Sequence, residues 1–81
     1  MPFIVYILYS GSKDKYYIGS CADISIRITQ HNTGRNISTK FGIPWTLVYI
    51  QEVNTLQEAR KRELEIKKKK SREYIQWLIS T

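Results

Sequence analysis

The chain reads as an α+β domain, a small central sheet that opens with an antiparallel hairpin and is covered by helices. Three observations lead there. Two apolar, aromatic-rich runs, residues 3–9 and 15–20, flank the turn formers Ser10-Gly11-Ser12-Lys13-Asp14, which is the pattern of a β-hairpin. A third run, Trp45 to Val53, is rich in strand-forming residues. Between and beyond these runs lie segments with helical spacing and capping residues at their starts.

At 81 residues the chain predicts one domain, residues 1–81, large enough to bury a core without metal or disulfide staples. The single cysteine, Cys21, excludes an intramolecular disulfide and a Cys-based zinc site, and it fits a reducing compartment. No apolar run approaches the roughly 18 residues of a membrane span, and Met1-Pro2-Phe3 enters a strand rather than a signal peptide. A soluble, cytoplasmic protein is expected. Thirteen Lys and Arg against seven Asp and Glu give a net charge of +6, which favours a polyanionic partner, nucleic acid before membrane.

If residues near 9 and 14 pair across the turn, Tyr6 and Tyr17 become direct cross-strand neighbours, about 4.5–5.5 Å apart at Cβ. A slip of one residue sends one of them to the other face. Tyrosine is also an ordinary strand residue, so the pair by itself has a purely structural reading. Asp23 suits an N-cap, and Ile24 to about Asn32 forms the first helix. At about 100° per residue, Ile24, Arg27, Ile28 and His31 share one sector, and Ile26 points away. A cation within an apolar stripe is costly unless it is paired or used. Taken singly, Arg27 can snorkel from the stripe edge and His31 can be a hydrogen-bonded core histidine. Asn32-Thr33-Gly34 ends the helix, with Gly34 as its left-handed cap. Residues 35–44 follow as a polar loop, and Trp45 to Val53 is the third strand.

Thr55-Leu56-Gln57-Glu58 matches a capping box and opens a helix that runs to about Lys69. Leu56, Ala59, Glu63 and Ile66 are spaced as a core-facing stripe, whereas Glu58 and Glu65 lie opposite as solvated carboxylates. A carboxylate in such a stripe costs on the order of several kcal/mol unless compensated. Glu63 therefore either pairs with a buried arginine, for which Arg27 is the candidate, or reaches a cleft and holds a metal. The run Lys67, Lys68, Lys69, Lys70, followed by Ser71 and Arg72, suits the negative pole of the helix dipole; its functional reading is contact with phosphates. Ser71 caps a last short helix that buries Tyr74, Ile75, Leu78 and Ile79. Trp45, Trp77 and Tyr74 are expected in the core, with a protein-binding surface built on them as the lesser alternative.

No glycine-rich phosphate loop, paired catalytic carboxylates, zinc-type histidine spacing or Ser-His-Asp set is present in the sequence. What remains is Tyr6, Tyr17, Arg27, His31 and Glu63, residue types that suit phosphodiester cleavage. An oxygen ligand such as Glu63 suits Mg²⁺, which keeps several waters and often takes one or two carboxylates; the metal would stabilise charge on the phosphate and leaving oxygen. Arg27 offers a forked contact to a phosphate oxygen, and Tyr6 or His31 could orient or deprotonate the attacking water.

In order and spacing these residues resemble the GIY-YIG nuclease domain. The likeness runs through Ile4-Val5-Tyr6, Tyr17-Ile18-Gly19, Arg27, His31 and Ala59-x-x-x-Glu63-x-x-x-Lys67. Asp23, His31-Asn32-x-Gly34, Thr39-Lys40 and Pro44-Trp45 narrow it to small standalone members similar to the N-terminal nuclease domain of the excinuclease subunit UvrC. It covers roughly residues 3–75. The resemblance implies a three-stranded antiparallel sheet flanked by helices, and single-metal hydrolysis of a phosphodiester in DNA, with RNA as an open alternative. By position, Tyr6 and Tyr17 would position or activate water, Arg27 would bind phosphate, Glu63 would ligate Mg²⁺ or Mn²⁺, and His31 would assist near the nucleophile. Lys40, Lys67, Lys68, Lys69, Lys70 and Arg72 are the candidate nucleic-acid contacts.

Two departures bear on activity. Ile4-Val5-Tyr6 replaces Gly-Ile-Tyr but keeps the tyrosine, and Gln76 is all the last helix offers where many members carry an asparagine near the phosphate. With 81 residues taken up by this domain, no appended recognition domain is expected. Cleavage is therefore expected to be weak in isolation, selective for damaged, branched or flexible DNA, or dependent on a protein partner that supplies target recognition. The alternative is a nucleic-acid-binding module on the same scaffold with negligible catalysis.

Overall fold

The first strand, β1 (Phe3–Ser10), is the middle of a three-stranded antiparallel sheet, with β2 (Lys15–Cys21) on one side and β3 (Trp45–Val53) on the other. The structure is a computed structural model that describes residues 2–69 and 71–81. Val5, Tyr6, Ile7 and Leu8 are each at most 1% exposed. A central strand in such a sheet has both faces covered, so its apolar residues run continuously instead of alternating with polar ones. Burying each large aliphatic side chain is worth about 1.5–3 kcal/mol, which makes β1 the anchor of both layers.

Val5 and Ile7 face the two C-terminal helices, α2 (Leu56–Lys69) and α3 (Arg72–Ser80), and pack with Ala59, Ile66, Ile75 and Leu78. On the other face, Tyr6 and Leu8 pack with Cys21 and Trp45, and with Ile24 and Ile28 of helix α1 (Ile24–Asn32). The fold is thus helix, sheet, helix pair. Capping follows the sequence: the Asp23 carboxylate accepts from Ile26 N, the Ser71 hydroxyl from Tyr74 N and the Thr55 hydroxyl from Glu58 N. Gly34, at φ +78°, takes the left-handed conformation that a β-carbon would strain.

Four expectations are corrected. The hairpin pairs Ser10 with Lys15, so Tyr6 lies opposite Gly19 and Tyr17 opposite Leu8. This register is shifted by two residues from the expected one, which keeps both tyrosines on one face because side chains alternate with period two. The polar loop contains a short 3₁₀ helix, Ile37–Gly42, closed by an Asn36 side chain that accepts from Ser38 N. Leu56 is 41% exposed and Trp77 58% exposed; each sits at the margin of its helix stripe, beyond the reach of the narrow sheet. The irregular alternation of β3 also has a cause. A bulge between its pairings with Ile7 and Leu8 leaves Val48 and Tyr49 both on the α2/α3 face, while Leu47 stays with Tyr6 and Leu8.

Candidate active site

The α1-facing side of the hairpin carries the first part of the site. Tyr6 lies across Gly19, where a β-carbon would come within 2.6 Å of the Tyr6 hydroxyl oxygen. The glycine thus makes room for the phenol. Tyr17, diagonal to Tyr6, places its ring centroid 6.4 Å from that of Tyr6 and 5.0 Å from that of His31. His31, in the last turn of α1, is fully buried and sits 2.9 Å from the Tyr6 hydroxyl through Nε2. Both ordinary readings and the functional one meet here, because the histidine is in the core and is bonded to the motif tyrosine.

A third layer holds the imidazole from behind. Nδ1 of His31 lies 2.7 Å from the Thr39 hydroxyl, and the Thr39 carbonyl accepts from Trp45 Nε1 at 2.7 Å. The Asn32 side chain bonds both backbone groups of Trp45, accepting from its N at 2.6 Å and donating to its O at 3.1 Å. Asn32 therefore ties the end of α1 to the start of β3, and the indole fixes the 3₁₀ segment over His31. Burial, reinforced by the nearby Tyr17, pushes the Tyr6 phenol well above the usual tyrosine range, with Arg27 opposing. Burial, and then the Arg27 charge, lower the basicity of His31 below its ordinary value, which favours the neutral imidazole.

Arg27 is half-buried on α1, and its charge and that of Glu63 both reach the Tyr6 phenol. Of the two alternatives for Glu63, the ion pair with Arg27 does not form among the described residues. Glu63 instead accepts from the Ser20 hydroxyl at 2.9 Å and from Lys67 Nζ at 2.6 Å. Ser20 pairs with Val5 and so points to the α2 side of the sheet edge, opposite in parity to Tyr17 and Gly19. The carboxylate is at the margin of the core rather than within it, with 23% side-chain exposure. Two of the groups here suit a hard cation, the carboxylate and the Ser20 hydroxyl; the Lys67 ammonium, 47% exposed, occupies the other carboxylate oxygen and would have to give way to the ion. Among the described residues no group of three His, Cys, Asp or Glu gathers into a multidentate cage. A metal held by Glu63 and water is the mode that Mg²⁺ adopts, and the donor set fits it.

The candidate phosphate contacts divide. Lys40 and Lys68 are exposed. Lys67 is engaged with Glu63, and Lys69 lies over the Tyr74 ring at 5.5 Å. Arg72 is bonded to the Asp14 carboxylate and to its carbonyl, and lies over Tyr16, so it clamps α3 to the hairpin turn. Lys70 lies outside the described residues. Sequence reasoning missed Ser20 as the partner of Glu63; the available signal was its place directly after Tyr17-Ile18-Gly19, one step out of phase with the site tyrosine.

Comparison with known proteins bears on the family and the fold. The GIY-YIG catalytic domain model matches residues 2–76. A UPF0213 protein of Staphylococcus saprophyticus is 44% identical over 64 residues, covering 76% of this chain and 78% of that protein. A UPF0213 protein of Staphylococcus aureus is 41% identical over 64 residues, covering 78% and 77% respectively. The NMR structure of a UPF0213 protein from Bacillus halodurans superposes with a TM-score of 0.60 at 31% identity, over 99% of this chain and 84% of that one.

Proposed function

This chain belongs to the GIY-YIG catalytic domain family, a nuclease superfamily, and on that premise we propose that it is a Mg²⁺- or Mn²⁺-dependent endonuclease hydrolysing phosphodiester bonds in DNA. The observation that carries the reading is the 2.9 Å contact between the Tyr6 hydroxyl and His31 Nε2, beside Tyr17 and within reach of the Arg27 and Glu63 charges. A buried tyrosine bonded to a neutral histidine can take a proton from water, provided the water approaches the phenol oxygen. Tyr17 borders that approach. Arg27 would hold a nonbridging phosphate oxygen by a forked contact. Glu63, oriented by Ser20, would hold the metal, which when bound supplies charge stabilisation to the phosphate and the leaving oxygen.

The net charge of +6 and the exposed Lys40 and Lys68 suit the sequence-independent grip of a phosphate backbone. Selectivity for flexible or branched DNA, and a partner protein that supplies target recognition, are part of the same proposal. The test is nicking of labelled duplex, single-stranded and branched DNA with Mg²⁺, Mn²⁺ or EDTA, using wild type and Glu63→Gln purified identically. Cleavage that requires metal and disappears in the variant supports the nuclease reading. Salt-sensitive binding with equal background cleavage in both proteins supports the binding module instead.

A further inference from the structure

The hydrogen bonds around His31 contain more information than their distances, because every group in the chain can be assigned a proton. The Thr39 hydroxyl has one hydrogen, and it donates to the Asn36 carbonyl at 3.3 Å. Its oxygen then has a lone pair for the His31 Nδ1–H at 2.7 Å. Nε2 is left unprotonated and accepts from the Tyr6 hydroxyl at 2.9 Å. Three hydrogens thus meet three acceptors in a buried row, with no polar side-chain atom left over. The opposite tautomer fits badly. With hydrogen on Nε2, the imidazole would donate to the Tyr6 oxygen, the Tyr6 hydrogen would lose its only side-chain acceptor among the described residues, and Thr39 would turn from Asn36 to Nδ1. In the resting site, with Tyr6 1% exposed and before water reaches the phenol, a buried donor without a partner costs about 1–3 kcal/mol.

We infer that Thr39 is a positioning residue that fixes His31 in the Nδ1–H tautomer, so that Nε2 stands ready to receive the proton of Tyr6. The inference rests on the nuclease reading for its purpose, though its geometry stands without it. In that tautomer Tyr6 acts as a relay. As water gives a proton to the phenol oxygen, the phenol hydrogen passes to Nε2, and the charge that appears on the imidazole is shared through Nδ1–H with Thr39. A phenol raised by burial is a poor free phenolate, and the relay requires none. The ionisable groups facing the imidazole are Tyr6 from β1, Tyr17 from β2 and Arg27 from its own helix.

His31 is the only histidine in the chain, so its ring nitrogens can be read without assignment ambiguity. The experiment is long-range ¹H–¹⁵N correlation NMR on the full ¹⁵N-labelled chain above pH 7, with wild type, Thr39→Ser and Thr39→Val, and the backbone fingerprint of each sample to establish folding. Wild type and Thr39→Ser are expected to show Nε2 as the unprotonated nitrogen. Thr39→Val, which keeps the shape and removes the acceptor, is expected to move the hydrogen to Nε2 and to lower nicking by about 100-fold, the scale of lost proton-transfer catalysis. Wild-type protein with hydrogen on Nε2 overturns the assignment, even if Thr39→Val does not fold. Folded Thr39→Val with an unchanged tautomer overturns the role of Thr39. Failure of wild type alone to cut any DNA shifts the reading to the binding module or to a nuclease that needs its partner, while the tautomer result still decides this one.

Discussion

Gly19 lies directly across the hairpin from Tyr6, and the phenol occupies the space where a side chain would be. A β-carbon there would sit 2.6 Å from the hydroxyl oxygen and 2.7 Å from Cζ. Gly19→Ala is therefore expected to displace the Tyr6 ring from His31 and to destabilise the fold by about 1–3 kcal/mol, the usual cost of overpacking. Urea unfolding measures the loss, and the ring-nitrogen shifts of His31 report the displaced partner. An unchanged midpoint and unchanged shifts would contradict it.

Glu63→Gln keeps the shape of the side chain and removes its charge. Cleavage is expected to fall by at least about 100-fold, equivalent to roughly 2.7 kcal/mol of lost transition-state stabilisation. DNA binding at low salt should persist, because the exposed lysines are untouched. Electrophoretic mobility shift beside the nicking assay separates the two effects.

Ser20→Ala leaves Glu63 without the hydroxyl that donates to it at 2.9 Å. Groups that orient a metal ligand are typically worth about 10–100-fold in affinity. Mn²⁺ binding followed by electron paramagnetic resonance should weaken on that scale while the melting temperature stays close to wild type. An unaltered Mn²⁺ affinity would mean that Ser20 only decorates the carboxylate.

Acid should weaken the fold through His31 before the carboxylates titrate. Its folded pKa is depressed from 6.5 by burial and by Arg27, so the unfolded chain takes up the proton first. The associated stability is fully present above pH 6.5 and declines as the pH falls from there towards the folded value. His31→Gln, which cannot take up that proton, should flatten this part of the stability profile; equal slopes in the two proteins would contradict the shift. Nicking should fall at lower pH, as His31 of the folded protein takes up its proton at its depressed value, because a protonated Nε2 cannot accept from Tyr6.

Lys40 and Lys68 are exposed and free to meet phosphates. Replacing either by Ala should reduce the slope of log affinity against log salt by about 1. Arg72→Ala should act differently, since that side chain is bound to Asp14 and its loss frees α3 from the hairpin turn. Fluorescence anisotropy with a labelled oligonucleotide across a salt series distinguishes them.

Local sequence features set the elements and most of the identities in the site. Strand propensity, helical spacing and the caps Asp23, Thr55 and Ser71 are local properties, and β3 and α1 run over the residues their patterns predicted. The order and spacing of Tyr6, Tyr17, Arg27, His31 and Glu63 carried the family likeness. Tertiary structure decided what each one touches. Hairpin register depends on four turn residues and on the space above Gly19, and a shift of two leaves every hydrophobic pattern intact. Periodicity placed Glu63 on the core stripe, but the sheet is narrow and ends at β2, so the carboxylate meets Ser20 and Lys67 at the edge instead of Arg27. Thr39 belonged to the family likeness, but nothing in the sequence assigned it a role, because its value lies in a hydroxyl brought to Nδ1 of His31 by the indole of Trp45 and the side chain of Asn32. Such contacts join segments distant in sequence, and only closure of the chain around β1 brings them within hydrogen-bonding distance.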